Sequence, residues 1–353
     1  MATDTSAKRV KMDGPLIGTH NGHFHADEAL AVYLLRLLPT YASSPLIRTR
    51  DPALLETCHT VLDVGGEYST ENNRYDHHQR GFDAIFPGHS TKLSSAGLVY
   101  LHYGKDIIAT CTGLPKDGEE VSILYEKIYT DFVEAFDAND NGISAYDPAA
   151  IKSANITKRF EDRSFTLASV VNRYNYATKL PKDPAPTQEM KQAVEDTNFA
   201  RASSFVGEQF MLLLTGAHED WLPARAVVSK VYHERGSIHP SKQIMVLPQS
   251  STPWSSHLYN FEAENPSEPK VLYVLFPEND EPDSKWRIRS VSVENGAFEN
   301  RKDLPDAWKG VRDDELSTAS GIPGCVFVHA AGFIGGNKTK EGALAMAVKA
   351  IEA

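Results

Sequence analysis

The chain has 353 residues, of which 41% are apolar and 24% charged, the profile of a folded soluble protein with material for two cores. No apolar run approaches the roughly 20 residues that a bilayer-spanning helix needs, and the N-terminus lacks the apolar core of a secretory signal. A net charge of −11 speaks against an extended basic face for nucleic acid, although carboxylates that hold divalent cations invert the local sign.

In chain order, residues 1–13 read as a disordered basic tail. Its "AKRVKMD" resembles a short nuclear import signal, against the plainer reading of a solvated terminus. Asp4 and Asp13 argue against an acid-poor transit peptide. "PLIGT" predicts a strand ending at His20, and Leu30, Tyr33, Leu34, Leu37 and Leu38 fall at helical spacing over residues 27–38 until Pro39 closes the run. "PLIRTR" predicts a second strand. "DPALLETC" opens a short helix with Asp as cap and Pro in the first turn, and "TVLDVGG" predicts a third strand, buried on both faces.

Strand, helix, strand, helix, strand is the grammar of a doubly wound parallel sheet, whose sites form at the C-terminal ends of its strands. His20 to Asp27 and Asp63 both fall there. Helical patterns dominate residues 93–174, and Pro and Asp thicken around "KLPKDPAPTQE". The expected organisation is an α/β domain over residues 14–185, a connecting helix over 186–215 and a smaller α+β domain over 216–353. In that last part "RAVVSKVYHE", "QIMVLPQ", "KVLYVLFPE", "WRIRSVSVE" and "GCVFVHAAG" have strand-type content, and a final helix carries Leu344, Ala347, Val348 and Ile351 on one face. The three cysteines, Cys58, Cys111 and Cys325, form no C-x-x-C pair and read as reduced, which predicts an intracellular protein.

Four separated pieces share one character: His20, His25 and Asp27; Asp63 at a strand end; "YDHHQRGFD" with Asp76, His77 and His78; and "FDANDNG" with Asp137 and Asp140. Singly, a strand-end Asp is a turn former and a histidine pair a surface feature. Together, mixed Asp and His ligation suits two adjacent divalent ions such as manganese, because carboxylates packed that closely repel one another without a cation.

These residues resemble the DHH phosphoesterase superfamily. "GTHNGHFHADEALA", "RTRDP", "DVGGEY", "RYDHHQRGF", "TKLSSAGLVY", "DANDNGI", "WLPARA", "SGIPGCVFVHAAGFIGG" and "EGALAMA" are similar to one branch of it, the Myg exonuclease family. The resemblance covers nearly the whole chain from Leu16. It implies a DHH domain followed by a DHH-associated domain. It also implies two divalent ions, manganese or alternatively magnesium, held by His20, His25, Asp27, Asp63, His77 and Asp137, with Asp63 bridging. His25 stands where an Asp is usual, the spacing from His20 is one residue long, and His23 matches no ligand position and reads as dispensable. Asp76 would orient His77, His78 would face the scissile phosphate, and Asp140 would cap a turn. A glycine-rich stretch with Gly335 and Gly336, joined by His329 and Lys338, would cradle substrate phosphates. Asn337 stands there where many relatives have His.

Arg80, Lys92 and Arg225 are further candidates for that substrate, as are Arg48, Arg50, Arg287 and Arg289, while Trp254, Trp286 and Trp308 could stack on bases but suit a core. The implied activity is 3′→5′ hydrolysis of single-stranded RNA by water activated between two ions, in the nucleus, nucleolus or cytoplasm, with the mitochondrion as the family's further location. The residues themselves support only a phosphoester hydrolase. Pyrophosphate or a small nucleotide is the alternative substrate, and a catalytically silent RNA-binding protein the alternative class. "HFH" as the H-x-H of an amidohydrolase barrel leaves "DHH" unexplained.

Overall fold

The computed structural model describes residues 14–294 and 299–353, so the basic tail and its import-signal reading lie outside the described residues. Contacts divide the chain into two units, the first ending at Ala217 and the second running His218–Ala353.

In the first unit, β1 (Ile17–Thr19), α1 (Ala26–Arg36), β2 (Leu46–Arg48), α2 (Pro52–Glu56) and β3 (Thr60–Leu62) follow the predicted alternation. Asp51 caps α2 by accepting the Ala53 N–H at 2.9 Å. Two short strands complete the sheet, β4 (Tyr68–Ser69) and β5 (Arg74–Tyr75), in the order β2-β1-β3-β5-β4. Every pairing is parallel except β4 with β5. Parallel strands need cover on both faces, and β1 and β3 are buried along their whole length. The first residues beyond β1, β3 and β5 are His20, Asp63 and Asp76, so one rim of the sheet gathers three of the four chemical pieces.

Helices α3 (Ser95–Thr112), α4 (Glu119–Ile128), α5 (Glu134–Asp140), α6 (Pro148–Ser153), α7 (Leu167–Tyr174) and α8 (Gln188–Gly216) complete this unit, with a π-helical turn at Tyr129–Val133 between α4 and α5. The helix read as a connector is α8. It lies against α1, where Ser203 Oγ donates to the Ala29 carbonyl at 2.7 Å. The approach is closest at Gly207, where a Cβ would overlap the Tyr33 ring. A Gly207→Ala variant is therefore expected to lose roughly 1–3 kcal/mol by overpacking, although alanine is the better helix former. Urea unfolding checks this, and an unchanged midpoint would mean that Tyr33 yields freely.

The second unit holds α9 (Leu222–Ile238), β6 (Ile244–Val246), α10 (Ser255–Glu264), β7 (Tyr273–Pro277), β8 (Trp286–Ser290), α11 (Asp313–Ser320), β9 (Cys325–Val328), β10 (Ile334–Asn337) and α12 (Lys340–Glu352). Its sheet runs β6-β7-β8-β10-β9. Only β6 with β7 is parallel. Ile288, Leu275 and Tyr273 of the sheet pack with Trp308, Met346 and Ala347 in one core.

One expected strand is corrected. "RAVVSKVYHE" lies inside α9, because Ala224, Val228 and Tyr232 are buried four residues apart, the period of a helix face rather than a strand. The chain thus has the expected mixed α/β class. The described residues form two five-stranded sheets, not the closed barrel that the amidohydrolase alternative required. No helix among the described residues is long and apolar enough to cross a membrane.

Candidate metal centre

His20 leaves β1 buried, its Nε2 at 3.1 Å from Glu28 Oε1 and 3.4 Å from Asp63 Oδ2. His25 stands just before α1 and donates its backbone N–H to Glu28 Oε1 at 2.9 Å, so one carboxylate in the first helical turn ties down both ends of the histidine loop. Asp63 ends β3 in the left-handed region at φ 57°, which Asp tolerates better than most side chains. Its Oδ1 accepts from Ser95 Oγ at 3.1 Å and lies 3.2 Å from His77 Nε2. His77 Nε2 is also 2.9 Å from Asp140 Oδ2, and His25 Nδ1 is 3.9 Å from Asp140 Oδ1.

Three overlapping groups result, each with ligand atoms close enough for one ion: His20, His25, Glu28 and Asp63; Asp63, His77 and His78; and His25, Asp27 and Asp140. Asp63 belongs to two of them, and so does His25. Asp27 supplies the test of fit. It is buried with neither carboxylate oxygen accepting a hydrogen bond, an arrangement that costs several kcal/mol unless a cation or proton compensates it. Burial, and then the charges of Asp63, Asp140 and Glu28, push its carboxyl well above the usual range. These residues therefore suit divalent ions with mixed oxygen and imidazole preference.

The imidazoles give a pH test. Burial opposes a charged His20, but hydrogen bonding to Asp63 and Glu28 wins and drives it up to about 10. Burial likewise opposes a charged His77, while Asp140 and Asp63 drive it up to about 9. Without a cation, protonated His20 and His77 stabilise the fold fully below their ordinary 6.5, and this contribution is lost as pH rises through about 9 and 10. A ligating imidazole must be neutral. Manganese uptake at neutral pH is therefore expected to release protons and to tighten as pH rises toward 9. Titration calorimetry in buffers of different ionisation enthalpy measures this; uptake with no proton release would contradict the ligand assignment.

Asp76, which belongs to none of the three groups, pairs with His78 of the second. Asp76 Oδ1 lies 2.7 Å from His78 Nδ1 and accepts the His77 and His78 N–H groups, while its Oδ2 accepts the Gly66 N–H at 2.6 Å. Asp76 was expected to orient the His77 ring. The ring it holds is that of His78, since both side chains follow β5 in one tight turn. Asp76 holds His78 above its ordinary pKa, and the imidazole is more than half exposed. A cavity of about 370 Å³ is lined by His20, His25, Asp63, Asp76, His78 and Arg50, which brings a cation to the same rim.

Asp137 is a second correction. It belongs to none of the three groups, because its Oδ1 accepts from Ser94 N–H, Ser94 Oγ and Gly97 N–H, and its Oδ2 from Tyr129 Oη. Asp140, read as a turn cap, is the carboxylate that reaches His77. Arg48 is a third. It is buried between the Phe24 and Phe199 rings and donates to the Gly22 carbonyl at 2.7 Å, so it braces the histidine loop instead of facing substrate. Lys92 lies over the Phe82 ring, itself 6.3 Å from His77, and Arg80 is exposed two residues beyond His78. Glu28 was missed altogether, although its place three residues after His25 is that of a capping-box acid.

In the second unit, the glycine-rich stretch expected to be a loop is the strand β10. Gly335 and Gly336 are paired on both sides, with β8 and β9, so their peptide groups belong to the sheet ladder. A Cβ on Gly335 would press on the Phe327 carbonyl and Val328, which explains the glycine by packing. Asn337 is buried and donates to the Pro323 carbonyl at 3.0 Å, a structural post. Arg225, His329 and Lys338 are exposed. Trp308 is core, whereas Trp254 and Trp286 are half-buried. A larger cavity in this unit, about 1220 Å³, has Lys309 among its lining cations, but that charge is met by Asp303 and Asp306, and among the described residues no cluster of metal-ligating side chains forms there.

Comparison with known proteins gives the chain relatives by sequence. Residues 16–351 match the MYG1_exonuc profile, described as an uncharacterised protein family (UPF0160). The chain is 43% identical over 340 residues to the MYG1 protein of Saccharomyces cerevisiae, covering 95% of this chain and 96% of that one. It is 42% identical over 353 residues to the MYG1 exonuclease of Mus musculus (98% of this chain, 87% of that one). With the MYG1 exonuclease of Homo sapiens the identity is 43% over 342 residues (95% and 85%). No solved structure gives a significant match.

Proposed function

The chain belongs to the MYG1_exonuc family, and from that premise we propose that it is a metal-dependent phosphodiesterase of the DHH type, a 3′→5′ exonuclease on single-stranded RNA. The observation that carries this reading is the overlap of three ligand groups through Asp63 and His25, with the unpaired buried carboxylate of Asp27 among them.

His20, His25, Asp27, Glu28, Asp63, His77 and Asp140 are proposed to hold two divalent ions, manganese or magnesium. Such ions, when bound, act as Lewis acids toward phosphate oxygen and make a water nucleophilic near neutral pH. The chain's own groups do the rest. Arg50 faces the cavity and offsets phosphate charge. His78, aligned by Asp76, donates a proton to the leaving 3′ oxygen as the phosphorus–oxygen bond breaks and a water oxygen takes its place. On the second unit, Arg225, His329 and Lys338 are proposed as contacts to the substrate's phosphates.

The test supplies purified full-length protein and manganese with single-stranded RNA, single-stranded DNA, pyrophosphate and dinucleotides. Stepwise loss of 3′ nucleotides from RNA is expected. Orthophosphate from pyrophosphate alone would replace the reading with a pyrophosphatase, and turnover of nothing would leave an RNA-binding protein.

A further inference from the structure

The exposed large apolar side chains are concentrated in one segment of the first unit. Among the described residues more than half of them fall between Ile143 and Tyr176, and four of these are aromatic: Tyr146 (74% exposed), Phe160 (75%), Phe165 (93%) and Tyr176 (67%). The same segment carries five basic residues, Lys152, Lys158, Arg159, Arg163 and Arg173, against three acidic ones, Asp147, Glu161 and Asp162, in a chain whose net charge is −11.

Ring contacts join Tyr176 to the centre. His20 lies 6.0 Å from His25, His25 lies 5.6 Å from His23, and His23 lies 5.9 Å from Tyr176. His23 is exposed and belongs to none of the three ligand groups. The residue after it, Phe24, is held by one side chain. Asn175 Oδ1 accepts the Phe24 N–H at 3.0 Å and its Nδ2 donates to the Phe24 carbonyl at 2.9 Å, which fixes Tyr176 next to the histidine loop. A neighbouring cavity of about 480 Å³ is lined by Phe24, His25, Asn139, Arg163, Thr166 and Asn172, a volume within the range of small-ligand sites. Arg163 makes no ion pair among the described residues.

We propose that His23 and Tyr176 form a stacking platform for the bases of a single-stranded oligonucleotide, with Arg163 on its backbone, leading the strand to the centre. The proposal rests on the phosphodiesterase reading for its purpose, but not for its test. Rings present faces to any base, so recognition is sequence-tolerant and is lost when the bases are paired. A second copy of this chain is the competing occupant, and the local excess of positive charge disfavours it.

The full-length protein is titrated into a short fluorescein-labelled single-stranded oligoribonucleotide in EDTA, and anisotropy is read. Tyr176→Ala and His23→Ala are each expected to weaken binding roughly tenfold, while Tyr176→Phe keeps it. Arg163→Ala is expected to lower the salt slope by about one phosphate contact. A duplex of the same sequence should bind more weakly than the single strand. His23 sits on an exposed loop, so its variant decides the matter should Tyr176→Ala fail to fold. Wild-type binding retained by both alanine variants overturns the proposal. So does a change from dimer to monomer in either variant at unchanged oligonucleotide affinity, which would make the surface an interface between copies. Binding lost in these variants while wild type hydrolyses nothing in manganese supports the platform and removes the exonuclease reading. Hydrolysis by a wild type whose variants bind normally does the reverse.

Discussion

Replacing Asp63 with asparagine is expected to cut phosphodiester hydrolysis by roughly a thousandfold or more, with little change in the folded structure. The size of the effect follows from position. Asp63 is the carboxylate common to two ligand groups, and its two oxygens face different imidazoles, Oδ2 toward His20 and Oδ1 toward His77. Asparagine keeps one oxygen to accept from Ser95 Oγ and tolerates the left-handed backbone at φ 57°. It removes the negative charge and turns the oxygen facing His20 into an N–H donor, which a neutral His20 Nε2 accepts. Asp63→Ala removes the backbone tolerance as well, and should unfold about 1–2 kcal/mol more easily than Asp63→Asn. Metal content by elemental analysis, turnover of labelled RNA and urea unfolding are measured together. Full turnover by Asp63→Asn would remove the proposed centre from the chemistry.

Three strands of the sheet were readable because their apolar runs are local, and two of them bear chemistry on the next residue, His20 after β1 and Asp63 after β3; the two-residue strands β4 and β5 are too short to leave a pattern. Local order is what periodicity reports. Failure begins where two nearby residues of one type compete. Asp137 and Asp140 lie one turn apart on α5, and nothing local says which one the chain turns inward to backbone donors and which it offers to His77. That choice is made by Gly97 and Ser94 on another helix. Glu28 was hidden for a related reason, since an acid in a first helical turn is ordinarily a cap, and this one is also in reach of His20. The glycines of β10 misled in the opposite direction. Gly-rich stretches usually signal loops, whereas here small size is demanded by neighbours across a sheet. Strand-type content in α9 failed because β-branched residues report fit to a surface, not to a strand alone.

The pair on α5 therefore separates structure from chemistry within one turn. Asp137 is fully buried, and a Cβ on Gly97 would overlap its carboxylate, so the helix α3 has been left bare there to receive it. Four donors converge on its two oxygens, and none of them is a cation. In Asp137→Asn one oxygen becomes an NH₂ facing donors, which strands buried groups at a cost of about 1–3 kcal/mol each. That variant is expected to melt early and to lose turnover only in proportion to its unfolded fraction. Asp140 is half-buried and faces His77, with His25 and Asp27 in the same ligand group. Asp140→Asn relieves the repulsion on Asp27 but takes the charged partner from protonated His77, so above about pH 9, where His77 is neutral, the cation-free protein should hold its unfolding midpoint while metal affinity and turnover fall, by about a hundredfold. Thermal unfolding in EDTA, set against turnover in manganese, distinguishes the two. Turnover lost at normal stability in Asp137→Asn, with Asp140→Asn active, would return the ligand role to Asp137 and reject the geometry described for this helix.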